Sequence, residues 1–330
     1  MRALLGDLAR DGRRVVVVTQ ILESGPRRAV VDGVRVVRVG SRWMFRHTPR
    51  LAQVHFIAAA FAAAVRHRPG RLLSLQMGTA SAAAALAARV LGAPHVLRLT
   101  GGGTSAYASE PLRRAASLPG RLWCRLFDRS GTTIVAPARH LLEDFRTSFP
   151  RFHNSLEHII NGVTDPGPDV PKTDDVIWYA RSGSEKSHAS LARVAALLPD
   201  VSFSVLGQST VPDSSNITSL GWHTHPEPVI GRHRVLLNTS AQEGMPNTVL
   251  QALSRGVRVV GYKNAGMVEV REMFPDGVAL VATDDVDGAA SAIRTALASD
   301  QLAGQEVATL SDVRRRWSDL LIGTKGIRRS

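Results

Sequence analysis

Short apolar runs alternate with longer amphipathic stretches along the chain. The runs have the length of buried strands, and the stretches between them repeat apolar residues at helical spacing. In the first half this pattern predicts strands at 13–20, 34–40, 71–77, 95–101, 132–138 and 157–162, and helices at 50–67, 80–91 and 139–147. Strands that alternate with helices in this way are typical of parallel α/β layers.

A second α/β set follows residues 164–175, TDPGPDVPKTDD, which have no periodicity and predict a linker. Strands are predicted at 176–182 and 201–207 and in NITSLGW, RVLLNTS and VRVVGY, with helices at 187–198, after Glu243 and at 285–298. We therefore expect an α/β fold with two Rossmann-like domains, 1–163 and 176–311, whose parallel sheets face each other across a cleft. A C-terminal helix at 312–330 is expected to pack back on the first domain.

The net charge of +13 is unevenly distributed along the chain. Residues 1–150 hold 23 arginines, no lysine and 8 acidic residues, a net charge of +15, whereas the 18 basic and 20 acidic residues of 151–330 give −2. This asymmetry predicts a polyanionic partner for the first half, such as an anionic membrane surface or an acidic substrate. The alternative is a solvated arginine-rich surface that reflects genome composition. Nucleic acid is not expected, because the basic half lacks interleaved aromatic residues.

Cys124 is the only cysteine, so no internal disulfide can form and a reducing cytosol is the expected compartment. It stands in the apolar stretch LWCRLF and is expected to be an inert core residue. The apolar stretch 51–65 is too short to span a membrane and contains His55. The first twelve residues carry charges throughout, which a signal peptide would not. A cytoplasmic location is expected, either free or peripheral on the inner face of the cell membrane.

The most informative local segment is AQEGMPNTVLQALSRGVRVVG at 241–261. Pro246 suits the first position of a helix, and Gly256 is expected to end that helix in a left-handed cap. Glu243 and Gly244 then lie in the loop before a helix N-terminus, where free amides and the helix dipole favour an anion such as phosphate. An equally weighted reading is that this loop, helix and strand are scaffold only.

Basic and glycine-rich loops provide further candidates. Arg181 and Lys186 flank a glycine after a predicted strand, so they can clamp a diphosphate, or they can belong to an ordinary basic loop. The glycines of TGGGTS at 100–105 would let a substrate approach the backbone, although the spacing of a dinucleotide-binding turn is absent. Among the acidic residues, Glu269 and Glu272 are expected either to face the cleft or to cap their helix.

A metal site is not expected. His223 and His225 stand two positions apart in HTH, but no third ligand is suitably spaced to complete a site with them.

Taken together, these segments resemble a family-4 glycosyltransferase of the GT-B fold. The resemblance rests on the Arg181–Lys186 loop, INGV at 160–163, SLGW at 219–222, the segment 238–261 and AGMVEV at 265–270, in this order. It covers nearly the whole chain and is stronger in the second half, where 238–261 is the most specific segment.

The resemblance implies a retaining transfer of a sugar from a nucleotide-sugar donor to an envelope glycan or a lipid-linked acceptor, without a metal or cofactor. Glu243 would be the catalytic residue beside the donor sugar, and Arg181 and Lys186 would bind the diphosphate. The sugar and phosphate would be bound by Gly244, Met245, Pro246, Asn247 and Thr248. Position 251, where the family usually has a second glutamate that binds the ribose, is here Gln251, which can accept one hydrogen bond and donate one. The candidate contacts with the sugar or acceptor are Thr100, Gly101 and Gly102.

Three departures from the family keep alternatives open. Thr100 stands where the family usually has a histidine, Gln251 replaces a glutamate, and the family's first strand and glycine loop are absent from the start of the chain. A central strand is therefore expected to be missing between 13–20 and the strand that ends at Leu99. One alternative is a catalytically impaired paralogue that binds a nucleotide sugar or glycan. Another is a GT-B epimerase or phosphorylase, against which the Glu243–Gln251 segment argues.

Overall fold

The computed structural model describes residues 2–21, 26–99, 118–167, 169–179, 187–207 and 214–323. In the first half the strands are β1 Val16–Gln20, β2 Arg28–Val31, β3 Val34–Val39, β4 Leu72–Leu75, β5 His95–Arg98, β6 Thr133–Ala136 and β7 Leu156–His158. The helices are α1 Arg2–Arg10, α2 Arg42–His47, α3 Pro49–His67, α4 Thr79–Leu91, α5 Leu118–Arg129 and α6 Arg139–Ser148. The alternation of strands and helices predicted for this half is present, and the sequence pattern missed the short β2 and α2.

The strands of the first half form two sheets. One has the order β1-β3-β2, in which β2 and β3 are an antiparallel hairpin, and the other is the parallel sheet β4-β5-β6-β7. Helices α3 and α4 pack against each other, α3 over β1 and α4 over β4, so both sheets lie under one helical layer.

Strands β1 and β4 each pair on one edge only within the described residues. The expectation that the strand ending at Leu99 borders a missing strand is wrong, because β5 is hydrogen-bonded on both sides, to β4 and to β6. Within the described residues the unpaired edges of these two sheets belong to β1, β2, β4 and β7.

The second half contains one parallel six-stranded sheet of order β10-β9-β8-β11-β12-β13. Its strands are β8 Asp174–Tyr179, β9 Phe203–Leu206, β10 Ile217–Gly221, β11 His233–Asn238, β12 Arg258–Tyr262 and β13 Val278–Val281. Its helices are α7 His188–Ala196, α8 Glu227–Gly231, α9 Asn247–Ser254, α10 Ala265–Met273 and α11 Val286–Ala298. Central strands read as continuous apolar runs because both faces of the sheet are covered by helices.

The chain crosses between the halves twice at one place. Val163 pairs with Thr309, and a Cβ on Gly162 would lie 2.7 Å from the Thr309 carbonyl oxygen. The glycine of INGV therefore permits the close approach of the two crossing segments. Thr309 is the N-cap of helix α12, Leu310–Ser318. Its hydroxyl accepts a hydrogen bond from the Asp312 amide and donates one to the Asp312 carboxylate.

The buried Trp317 of α12 packs in one cluster with apolar residues of the first half, among them Leu4, Leu8, Val96 and Val135. The end of the described chain thus lies on the first half. None of the helices in the described ranges combines the length and apolar character needed to cross a membrane.

Candidate functional site

The Glu243 loop lies between β11 and α9, at the carboxyl end of a central strand of the six-stranded sheet. Gly244, Met245 and Pro246 are buried, and Glu243 is partly exposed. Pro246 is the cap residue of α9 and not its first helical residue, because its ψ of 109° is extended. Gly256 follows the helix at a φ of +64°, the left-handed conformation expected from the sequence. The loop is therefore placed before the open N-terminus of α9, where backbone amides can face an anion.

Helix α10 supports the Glu243 loop from one side. A Cβ on Gly266 would lie 2.4 Å from the Gly244 carbonyl oxygen and 2.6 Å from that of Glu243, so only glycine fits there. Asn264 caps α10 by accepting a hydrogen bond from the Met267 amide at 3.1 Å. Its side chain also donates to the Ser240 carbonyl at 2.9 Å. The segment AGMVEV thus determines the position of the loop through backbone contact.

A residue of the first half supports the same loop from the other side. Asn161 Nδ2 donates to the Met245 carbonyl oxygen at 3.1 Å, and Asn161 Oδ1 accepts from the Arg98 guanidinium at 2.6 Å. Arg98 ends β5, two residues before Thr100, and its guanidinium lies 5.9 Å from the Trp317 ring centroid. Burial lowers the pKa of Arg98. The sequence pattern of INGV indicated no role for Asn161, and no local signal pointed to Arg98.

Glu269 makes a second contact between the halves. Its Oε1 accepts from the Arg139 amide at 2.7 Å, and its Oε2 accepts from the His140 amide at 3.2 Å and from His140 Nδ1 at 2.9 Å. Burial by itself raises the pKa of Glu269, but these hydrogen bonds outweigh burial and lower the pKa. Glu269 therefore caps α6 of the first half, whereas Asn264 caps its own helix, and Glu272 is exposed.

Gln251 is one turn into α9 and partly exposed. Its Nε2 lies 3.5 Å from Glu227 Oε1, which also accepts a hydrogen bond from Thr164 Oγ1 at 2.7 Å. Glu227 is the first residue of the short helix α8. Glu227 could not be identified from the sequence, because its neighbours do not distinguish it from an acidic residue in the first turn of any helix.

Several predicted site residues lie outside the described residues: Thr100, Gly101, Gly102, Arg181 and Lys186. The side chain of Cys124 is likewise outside them. The chain beside the Arg181–Lys186 segment is described up to Tyr179, the last residue of β8, and again from Ser187. Trp178 Nε1 donates to Thr239 Oγ1 at 2.9 Å, which joins the ends of β8 and β11.

In the described part of the chain no group of three or more His, Cys, Asp or Glu side chains could hold an ion, and His223 and His225 are exposed.

The site thus consists of a glutamate loop at a helix N-terminus, supported by both halves of a two-domain α/β chain. Two family models together match most of this chain: glycosyl transferases group 1 over residues 175–299 and the glycosyl transferase 4-like domain over residues 1–155. The chain belongs to the family-4 glycosyltransferases. Its fold is GT-B, with two Rossmann-like domains across a cleft, as the sequence predicted.

Solved structures share the fold of this glycosyltransferase at low sequence identity. Sucrose-phosphate synthase from Thermosynechococcus elongatus has a TM-score of 0.72 and 14% identity, with 98% of this chain and 92% of that chain covered. HepE from Anabaena, in complex with UDP and glucose, has a TM-score of 0.68 and 16% identity, with 97% and 95% covered. A glycosyltransferase from Rickettsia africae has a TM-score of 0.71 and 12% identity, with 99% and 94% covered. No curated protein matches the chain.

Proposed function

We propose that this glycosyltransferase moves a hexose from a nucleotide-sugar donor to an envelope glycan or lipid-linked acceptor with retention of configuration and without a metal ion. The observation that carries the proposal is the support of the Glu243 loop by both halves. Gly266 of the second half contacts its backbone, and Asn161 of the first half binds the Met245 carbonyl. Support of this kind limits the motion of a reacting group and so favours positioning of a donor.

Glu243 is proposed as the catalytic residue, beside the donor sugar. Gly244, Met245, Pro246, Asn247 and Thr248 are proposed to surround the sugar and phosphate at the start of α9. The amides of the first helical turn have no partner within their own helix and can donate to phosphate oxygens, although Pro246 has no N–H to contribute.

Arg181 and Lys186 are proposed to hold the diphosphate. As the sugar departs, negative charge grows on the leaving nucleoside diphosphate, and two nearby cations stabilise it. This segment follows β8, and β8 pairs with the strand that leads into the Glu243 loop. Gln251 is proposed to bind the ribose, while Thr100, Gly101 and Gly102 are proposed contacts of the sugar or acceptor on the opposite domain.

The donor and acceptor are proposed on different grounds. A uridine diphosphate sugar is the first donor to test, because HepE was solved with UDP and glucose. The acceptor is proposed to lie at the inner face of the cell membrane, because the +15 charge of residues 1–150 would attract anionic lipid to a cytoplasmic protein.

The test is an assay of transfer and donor hydrolysis with a panel of nucleotide sugars, with NMR to identify the anomer of the product. Turnover that gives the donor's anomer is the expected result, and EDTA should leave it unchanged. Affinity for the donor without turnover would favour the impaired, binding-only paralogue to which Gln251 and Thr100 point. A product of inverted configuration would contradict the proposed retention.

A further inference from the structure

A carboxylate lies beside the residue proposed to bind the ribose. Glu227 Oε1 accepts a hydrogen bond from Thr164 Oγ1 at 2.7 Å and lies 3.5 Å from Gln251 Nε2. Three separate segments therefore meet here: the chain just after the crossover at Val163, the start of α8 and the second turn of α9. The hydroxyl and the amide both approach the same carboxylate oxygen, so together they orient the carboxyl group.

Two acceptor atoms remain unused in this cluster. Neither Glu227 Oε2 nor Gln251 Oε1 has a hydrogen-bond partner within the described ranges, and both side chains are partly exposed. An ionised carboxylate can accept several hydrogen bonds, and the oxygen of an amide whose nitrogen is engaged still accepts. The cluster thus holds two acceptor atoms on partly exposed side chains, and the Thr164 hydroxyl already donates to Glu227.

The cluster lies on the helix that follows the Glu243 loop and close to the end of β8. Gln251 is one turn beyond Asn247, the first residue of α9, which follows the Glu243 loop. Glu227 also lies close enough to Tyr179, the last residue of β8, that burial and then this carboxylate raise the pKa of Tyr179. Tyr179 leads into the Arg181–Lys186 segment. Glu227 is thus near both the helix that follows the Glu243 loop and the end of β8.

We propose that Glu227 binds the vicinal hydroxyl groups of the donor's ribose, with Gln251 as its amide partner. A vicinal diol offers two O–H donors, and an oriented carboxylate with a neighbouring amide oxygen can accept both. A glutamate at position 251 would put a second negative charge about as near to Glu227 as the amide nitrogen now is, and like charges so close disfavour each other's ionised form. This accounts for an amide at position 251. The assignment rests on the proposed function, since it requires a nucleotide donor.

A purely structural role for Glu227 makes different predictions. An acidic residue in the first turn of a helix interacts with the helix dipole, and Glu227 also acts on Arg255, whose pKa it raises against the stronger effect of burial. Loss of such a role would lower stability but would leave the preference for ribose over deoxyribose ligands unchanged. Discrimination between ribose and deoxyribose ligands therefore separates the two roles.

The experiment measures binding of nucleoside diphosphates to the whole chain by calorimetry. UDP, ADP and GDP are compared first, and the tightest is then compared with its 2′-deoxy and 3′-deoxy forms. The variants are Glu227→Gln, Gln251→Glu and the double exchange, with Glu306→Gln as the control because Glu306 is exposed and distant in sequence. Circular dichroism confirms that each variant is folded.

The expected result is that Glu227→Gln weakens binding of the ribose form roughly tenfold and reduces the preference over the deoxy forms by a similar factor, because charge-assisted hydrogen bonds become neutral ones. Gln251→Glu should also weaken binding, and the double exchange should restore much of the loss by placing the carboxylate on the other partner. Glu306→Gln should bind as the parent does.

A Glu227→Gln variant that keeps the parent's preference for ribose overturns the assignment, and so does a Gln251→Glu variant that binds more tightly than the parent. If the folded parent binds none of the three nucleoside diphosphates, the proposed function itself is wrong and this assignment falls with it. The two failures are distinct, because only the second removes nucleotide binding from the parent.

Discussion

Gly266 and Glu243 are in backbone contact across two elements of the second domain. A Cβ at position 266 would lie 2.6 Å from the Glu243 carbonyl oxygen, a distance that real Cβ atoms do not adopt. A glycine on one helix therefore determines where a glutamate on another loop can lie.

Gly266→Ala should displace the Glu243 loop and lower transfer roughly 10²-fold, the scale expected for a misplacement of about 1 Å at a reacting group. The measurement is the transfer rate at saturating donor. Gly70→Ala is the matched control, because a Cβ there meets no atom within 4 Å. Equal rates in both variants would mean that the contact does not position the loop.

Glu243→Gln should lower transfer by roughly 10²-fold or more, because it removes a charge that stabilises the transition state while keeping the size of the side chain. Steady-state kinetics of the folded variant check this, with Glu306→Gln as the exposed control. Unchanged turnover would remove Glu243 from the chemistry.

Arg181→Ala and Lys186→Ala should each weaken binding of a nucleoside diphosphate by about 1.5–3 kcal/mol, the range for hydrogen bonds to charged groups. Calorimetry checks this, and the exposed Arg193→Ala serves as a control for the loss of a positive charge. If both variants bind the diphosphate as tightly as the parent, this segment is an ordinary basic loop.

Glu269→Gln should destabilise the protein in a pH-dependent way. The pKa of Glu269 is lowered from 4.5 in the fold, so the stability it contributes is present above pH 4.5 and is lost as the pH falls through the folded pKa. Denaturant unfolding should show a deficit of about 1.5–3 kcal/mol in the variant at neutral pH. The difference from the parent should shrink below pH 4.5.

A difference between parent and Glu269→Gln that grows as the medium becomes more acidic would contradict the role of the Glu269 carboxylate at α6. Glu272→Gln is the matched control on the same helix, because Glu272 is exposed.

Binding to lipid vesicles should depend on their charge. With +15 on residues 1–150, the protein should sediment with anionic vesicles at low salt, be released as salt rises, and not bind neutral vesicles. Equal binding to both vesicle types, or to neither, would leave the arginine content without a membrane role.

Features that arise from neighbouring residues could be predicted from the sequence. The alternation of apolar runs and amphipathic stretches predicted the two α/β domains, and the order of motifs around Glu243, Gly256 and AGMVEV predicted the family. Such signals are readable because strand and helix periodicity, caps and left-handed glycines depend on neighbouring residues.

Contacts between groups far apart in the sequence became known only from the folded chain. Gln251 and Glu227 are 24 positions apart, Asn161 and Met245 are 84 apart, and Glu269 lies 130 positions from the amide of Arg139. The structure also showed that, among the described residues, β4 has an unpaired edge whereas β5 is paired on both sides. These pairings depend on how whole sheets and helices pack against each other. The residues around a side chain determine whether it lies in a helix or a strand. They do not determine which distant element packs against it.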